Sequence, residues 1–240
     1  TKMKINSLKF IDSIDYAVIM SAVNSNVNDT NKHLSKTLKI NLNKTKKLLE
    51  DCLKYGLTPV YISSDGVFDG KRGNYKENDV LNSLNHYGKI KKEIEKFITK
   101  KFNNYLIIRV SKVFGLQKND KTLITSIFNE MKKKRKVFFS DDQFFSPIYV
   151  YDLCKYIYFL IKFKKKGIFH LSSIQSTSRY EVAKKIKQKF ALKKVKIIRK
   201  PINKFNFSEK IPLNTTLNSR KFLKLFRIKP KSINYFLNRI

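Results

Sequence analysis

The chain has 240 residues, 42% of them hydrophobic and 19 of them Phe, enough for one large domain or a core plus a small lobe, and too apolar for wholesale disorder. Its 52 Lys and Arg against 18 Asp and Glu give a formal charge of +34, which makes nucleic acid the first partner to weigh. No apolar run approaches the ~20 residues of a membrane helix, and no apolar stretch follows Lys2 and Lys4, so neither a membrane partner nor a secretory signal is expected.

Leu8–Ile14 reads as the tail of a helix, and Asp15–Ser21 (DYAVIMS) as a buried parallel strand. Polar Asn24–Asn31 precedes a helical pattern over Leu34–Tyr55, closed by Gly56. Thr58–Ser63 (TPVYIS) is a second strand, and the loop from Asp65 to Gly73 holds three of the seven glycines. A helix follows over Asn85–Lys101, then a strand at Tyr105–Val110. The second half reads as a short strand Val137–Phe139, a helix Val150–Phe163, a strand Gly167–Leu171 and a helix Arg179–Phe190. An edge strand Val195–Ile198 and helices near Asn218–Phe226 and Lys231–Asn238 complete it. Strands alternating with helices predict a parallel sheet covered on both faces. No glycine occurs before Gly56, so the glycine-rich turn that cradles a dinucleotide's pyrophosphate is missing. The chain is expected to be N-terminally incomplete and, as it stands, to bind cofactor weakly.

Tyr87-Gly88-Lys89-Ile90-Lys91 puts a phenol and an ammonium four residues apart on one helix face. A neighbouring ammonium favours the phenolate and is expected to lower the Tyr87 pKa toward working pH. Such a tyrosine exchanges a proton with a carbonyl or alcohol oxygen. Ser63 and Ser64 end the second strand, where a parallel sheet presents functional groups, and a hydroxyl there can hydrogen-bond a reacting oxygen. Glu77 and Asp79 are expected to order the intervening loop rather than to form a catalytic carboxylate pair.

The loop between them runs Ser63-Ser64-Asp65-Gly66-Val67-Phe68-Asp69-Gly70, then Tyr75-Lys76-Glu77-Asn78-Asp79, then Leu84-Asn85-His86-Tyr87-Gly88. In these blocks the chain resembles the extended short-chain dehydrogenases, most closely the dTDP-4-dehydrorhamnose reductases, which read S-T-D-Y-V-F-D-G, P-Y-x-E-x-D and P-x-N-x-Y-G-x-x-K. Seven further blocks fit in order. They are Met20–Ser25, Ile40–Thr45, Ile108–Gly115, Ser146–Leu153, Gly167–Ser172, Ser176–Glu181 and Ile211–Leu217. The resemblance implies a proton donor in Tyr87, a carbonyl-polarising hydroxyl in Ser64, and a ribose-binding, tyrosine-tuning lysine in Lys91. It implies NADP or NAD contacts from Ser21, Ala22, Val23, Ser63, Tyr87 and Lys91, and substrate contacts from Val27, Asp65 and Lys112. Two large family side chains near the sugar are replaced: the aromatic after S-T-D is Gly66 here, and the Trp after R-T-S is Lys112. Met20 and Lys44 depart from the Asn and Gly of two further motifs.

The expected fold is α/β, a Rossmann-like doubly wound parallel sheet, its first βα units missing, with a smaller C-terminal substrate-binding lobe. Residues 1–115 and 150–172 are assigned to the dinucleotide-binding core, 116–149 and 173–240 to the lobe. The expected function is NAD(P)H-dependent reduction of the 4-keto group of a nucleotide-linked 6-deoxy sugar. A nucleotide-sugar epimerase or dehydratase, or a non-catalytic dinucleotide-binding regulatory member of the family, is the alternative. The lysines are spread along the whole chain, and the run Lys132–Lys136 reads as a solvated helix end, so the charge looks like a global bias toward Lys, Asn and Ile and no nucleic-acid partner is expected. Cys52 and Cys154 are expected as buried free thiols of a cytoplasmic protein. His33, His86 and His170 lie too far apart for a zinc site. The aromatic stripe Tyr151, Tyr156, Tyr158, Phe159 and Phe163 is expected in the core, and a homodimer is left open.

Overall fold

In a computed structural model, which describes residues 15–20, 27–117 and 120–239, the chain alternates strands and helices along most of its length. In order these are β1 (Tyr16–Ile19), α1 (Val27–Lys32), α2 (Leu34–Thr37), a π-helical stretch Leu38–Lys44, α3 (Thr45–Lys54), β2 (Thr58–Ser64), α4 (His86–Lys101) and β3 (Leu106–Val110). Then come β4 (Val113–Phe114), α5 (Leu123–Lys133), β5 (Lys136–Phe139), β6 (Ile148–Tyr149), α6 (Val150–Lys162), β7 (Gly167–Leu171), α7 (Arg179–Lys189), β8 (Lys196–Arg199), α8 (Arg220–Leu225) and α9 (Ile233–Leu237).

The four strands β1-β2-β3-β7 form one wholly parallel sheet in that order. Their near-continuous Val, Ile, Leu and Phe content is what a strand covered on both faces requires. Period-2 alternation sends Tyr61 and Ile107 to one face, where they pack with Leu49 and Cys52 of α3 and Ile94 and Ile98 of α4. Val60, Ile62, Leu106 and Ile108 point to the other, against Leu153, Tyr156 and Leu160 of α6 and Phe222 of α8. Each such fully buried side chain contributes about 1.5–3 kcal/mol. This is a doubly wound, Rossmann-like α/β fold. A third apolar cluster joins α5, α7 and α9 over the parallel pair β5–β8. Phe222 and Leu223 of α8, from the stretch the sequence groups with the lobe, pack against the sheet.

Register decides where the chemistry sits. Ser64 pairs with Val110, and Val110 with Leu171, so β2, β3 and β7 end level. The residues just beyond those ends, Asp65, Ser111 with Lys112, and Ser172, therefore share the carboxyl edge of the sheet.

Several expectations fail for identifiable reasons. Cys52 is buried, but Cys154 is exposed, because α6 turns it away from the sheet. In the aromatic stripe only Tyr156 is buried; Tyr151, Tyr158 and Phe163 are 60%, 56% and 53% exposed. The face of α6 that meets the sheet is made by Leu153, Tyr156 and Leu160, and the other four aromatics of the stripe lie off it. α1 forms from a polar stretch with no apolar periodicity, and the expected tail of a helix at Leu8–Ile14 lies outside the described residues. Among the described residues no helix is long and apolar enough to cross a membrane.

Candidate active site

α4 begins where Asn85 caps it, its side chain accepting from the Gly88 amide at 3.0 Å. That fixes the first turn, and the four-residue spacing then places Tyr87 and Lys91 on the face turned toward the end of β2. A Cβ on Gly88 would lie 1.9 Å from the Gly66 carbonyl oxygen, so only glycine lets α4 approach the Asp65–Val67 turn this closely. A Cβ on Gly66 would meet the Tyr87 ring at 3.4 Å and the Ser64 Oγ at 3.5 Å, which puts those two side chains on either side of one small gap.

Around this gap lies a cleft of about 800 Å³, lined by Ser64, Asp65, Tyr87, Lys91, Lys112 and Arg179 among others. A groove of about 950 Å³ along α7 and β8 is more open and holds none of these groups. Ser64 accepts from the Gly66 amide at 3.1 Å and donates to Asp65 Oδ1 at 3.0 Å. Burial pushes the Tyr87 phenol up to about 12, opposed by hydrogen bonding to Ser64 and reinforced by the Asp65 charge. The expected lowering by Lys91 is thus overturned. Lys91 donates to the Ile62 carbonyl at 2.8 Å and stands 4.8 Å from the Tyr61 ring centroid, against 6.0 Å from that of Tyr87. Its own pKa falls to about 8, chiefly by burial and against the pull of Glu95.

The remaining expected residues divide. Ser63 lines the cleft, and its hydroxyl donates to Glu95 at 2.5 Å. Both carboxylate oxygens of Asp65 are engaged within the protein. Oδ1 accepts from Ser64, while Oδ2 accepts from Ser111 and Thr215, each at 2.7 Å. It ties the ends of β2 and β3 to the C-terminal segment. Lys112 does project into the cleft. It is reached by water there yet ringed by protein, and that desolvation lowers its pKa against the pull of Asp65. Ser21, Ala22 and Val23 lie outside the described residues, and of Val27 only the backbone, in α1, is described.

Behind the site runs a buried polar network that the sequence reading missed. Arg109 holds Glu95 through Nη2 at 2.7 Å and through Nε, and also reaches the Glu77 carbonyl at 3.0 Å and His170 Nε2 at 3.2 Å. His170 Nδ1 lies 2.9 Å from the Tyr75 carbonyl, so the ring is neutral with its proton on Nδ1, and burial drives its pKa down to about 3. Glu77 accepts from the His170 amide at 3.1 Å, and Asp79 from the Lys76 amide at 2.7 Å. Both carboxylates order the loop, as expected. The signal for Arg109 and Glu95 was a charged pair inside apolar patterns, which a Lys-rich sequence hides.

The model of the RmlD substrate binding domain family matches residues 6–240. The chain is 27% identical to dTDP-4-dehydrorhamnose reductase of Aggregatibacter actinomycetemcomitans over 236 residues, 92% of this chain and 79% of the relative. It is 29% identical to methionine adenosyltransferase 2 subunit beta of Bos taurus over 167 residues, 67% of this chain but only half of that protein's length. A crystal structure of dTDP-4-dehydrorhamnose reductase from Bacillus anthracis in complex with NADP superposes with a TM-score of 0.84 at 27% identity, covering 94% of this chain and 79% of that one.

Proposed function

The chain belongs to the RmlD substrate binding domain family, and on that premise we propose that it reduces the 4-keto group of a nucleotide-linked 6-deoxy sugar at the expense of NAD(P)H. The observation that carries the reading is the convergence of Ser64, Tyr87 and Lys91 in one cleft at the carboxyl edge of a parallel sheet. The NADP in the B. anthracis reductase and the reductase activity named for the A. actinomycetemcomitans relative support it.

The donor set fits a nicotinamide dinucleotide. Lys91, buried in the cleft wall, carries an ammonium suited to ribose hydroxyls, and Met20, just past β1, and Ile62 of β2 line the same cleft. When bound, the reduced nicotinamide supplies hydride to the carbonyl carbon. The protein's own task is then the proton and the developing oxyanion. Tyr87, held protonated far above neutral pH, is an acid throughout the working range and gives its proton to the carbonyl oxygen. Ser64 polarises that oxygen by turning its proton from Asp65 to the substrate. Asp65 keeps its bonds from Ser111 and Thr215 when this happens, so the exchange leaves no naked carboxylate.

The test is NADPH oxidation with dTDP-4-dehydro-6-deoxy-L-mannose, using protein expressed from the whole coding sequence. Tyr87→Phe should lose at least a hundredfold in kcat while melting like the wild type. Wild-type protein that folds and binds NADPH yet turns over no such sugar would overturn the reading. A second reading, a dinucleotide-binding subunit of another enzyme, is favoured by the resemblance to a protein named as a subunit. It predicts that Tyr87→Phe changes nothing measurable in a partner's activity.

A further inference from the structure

The first turn of α4 reads His86-Tyr87-Gly88-Lys89, with no acidic residue of its own. That end of a helix leaves amide donors unpaired and favours a negative group. The group comes from 123 positions away. Both oxygens of Glu209 accept from the His86 amide, at 3.1 and 3.2 Å. Oε1 also lies 2.5 Å from His86 Nδ1, and a carboxylate only accepts, so the ring holds its proton there. Beside this clasp the Asn85 side chain donates to the Lys210 carbonyl at 3.4 Å. Residues 209 and 210 thus grip both residues that start α4. The grip is sheltered, the Glu209 side chain being 12% exposed.

The next residue along α4 is Tyr87. The Asn85 bond to the Gly88 amide is internal to the turn and moves with it, whereas the Glu209 bonds tie the turn to another segment. That segment is a strap which itself walls the cleft: Phe205, Phe207, Ile211 and Pro212 line it together with Tyr87. The strap is pinned elsewhere too. The Asn28 side chain accepts from the Ser208 amide at 2.8 Å and donates to the Asn206 carbonyl at 3.2 Å, and the Ile202 amide donates to Asp142 at 2.8 Å. Glu209 lies outside the blocks that carry the family resemblance, and His86 fills the variable place between their Asn and Tyr. The clasp is therefore built by this chain's own choice of residues at two unconstrained positions.

We propose that Glu209 is a positioning residue for the proton donor. By holding the His86 amide through a charge-assisted bond, it sets where Tyr87 stands against Ser64, and it couples that placement to the strap. The assignment rests on the reductase reading for what Tyr87 does. Ordering the strap and seating the phenol become one event, so a substrate that settles against residues 205–212 also sets its own proton donor.

Steady-state NADPH oxidation with dTDP-4-dehydro-6-deoxy-L-mannose, and amide exchange followed by NMR, test this on the full-length protein. Glu209→Ala should lower kcat by roughly tenfold to a hundredfold and leave the KM for NADPH unchanged. Glu209→Gln, whose side-chain oxygen still accepts from His86, should recover most of the loss. Added to Tyr87→Phe, Glu209→Ala should cost little more, because it acts through the phenol. Exchange at the His86 amide should quicken in Glu209→Ala while β2 and β3 stay protected. Full kcat in a folded Glu209→Ala protein would overturn the assignment, as would a loss that simply multiplies that of Tyr87→Phe. The exchange arm needs no turnover. An unaltered His86 amide sinks the clasp alone, whereas a quickened one in a protein that reduces no keto sugar sinks the reductase reading and leaves the clasp in place.

Discussion

Replacing Gly88 by Ala sets two physical effects against each other. Ala favours a helix interior over Gly by about 1 kcal/mol, so propensity alone predicts a more stable protein. The added Cβ, however, would stand 1.9 Å from the Gly66 carbonyl oxygen and 2.8 Å from its carbon. Both are backbone atoms, so no side-chain rotation relieves the overlap. The start of α4 must retreat from the Asp65–Val67 turn by about 1 Å, an overpacking strain of about 1–3 kcal/mol. Net stability should fall by up to about 2 kcal/mol, or roughly 4–8 °C in Tm for a chain of this size. Activity should suffer more. Tyr87 rides on the retreating turn and Ser64 on the one it leaves, and a 1 Å misplacement of this kind costs on the order of a hundredfold in kcat/KM. Steady-state NADPH oxidation and a thermal melt on the same sample read both quantities. A Gly88→Ala protein that melts higher and keeps its full kcat/KM would refute the reasoning, and would mean that α4 stands clear of Gly66.

Three further outcomes are expected. Lys91 titrates near 8, so its ammonium is lost as pH rises through that value. If the ammonium holds the cofactor ribose, the KM for NADPH should climb above about pH 8, with the Tyr87 proton still in place, and Lys91→Met should flatten that limb. Arg109→Leu strands the Glu95 carboxylate in a site that is 2% exposed. Urea unfolding should register a loss of about 3–5 kcal/mol, largely restored when Glu95→Leu is added. His170 is neutral down to about pH 3 in the folded protein, whereas in the unfolded chain it binds a proton below about 6.5. The unfolded state therefore holds more protons across that window, and stability should fall by about 2 kcal/mol from pH 6.5 to pH 5 on this account. His170→Gln should remove that slope.

How much of this was legible in the sequence depended on whether the signal was local. The strand Gly167–Leu171 and the helix starting at Arg179 fall where expected, because an apolar run and the Ser178–Glu181 capping box announce them within a few residues. Tyr87, Lys91 and Ser64 could be paired because helix spacing and a strand end are local features too. The buried pair of Arg109 with Glu95 could not, because it joins β3 to α4 and a Lys-rich sequence does not mark which of its charges are buried. The Tyr87 pKa failed in the same way. The spacing correctly placed Lys91 on the same face, but the direction of its ammonium is set by the Ile62 carbonyl, on another element. The π-helical stretch Leu38–Lys44 broke a pattern that a single 3.6-residue period could not describe.

Thr215 donates to Asp65 across 150 residues of chain. On a ribosome making about 5–20 residues per second, the carboxylate at the end of β2 therefore waits roughly eight to thirty seconds for its last hydroxyl. During that wait the core strands can pair while the cleft stays unfinished, its floor held by Ser64 and Ser111 alone. A nascent chain that stops before Thr215 could bury its sheet and still fail to set its serine. Synthesis thus carries a built-in order in which the scaffold comes first and the last bond of its chemistry follows.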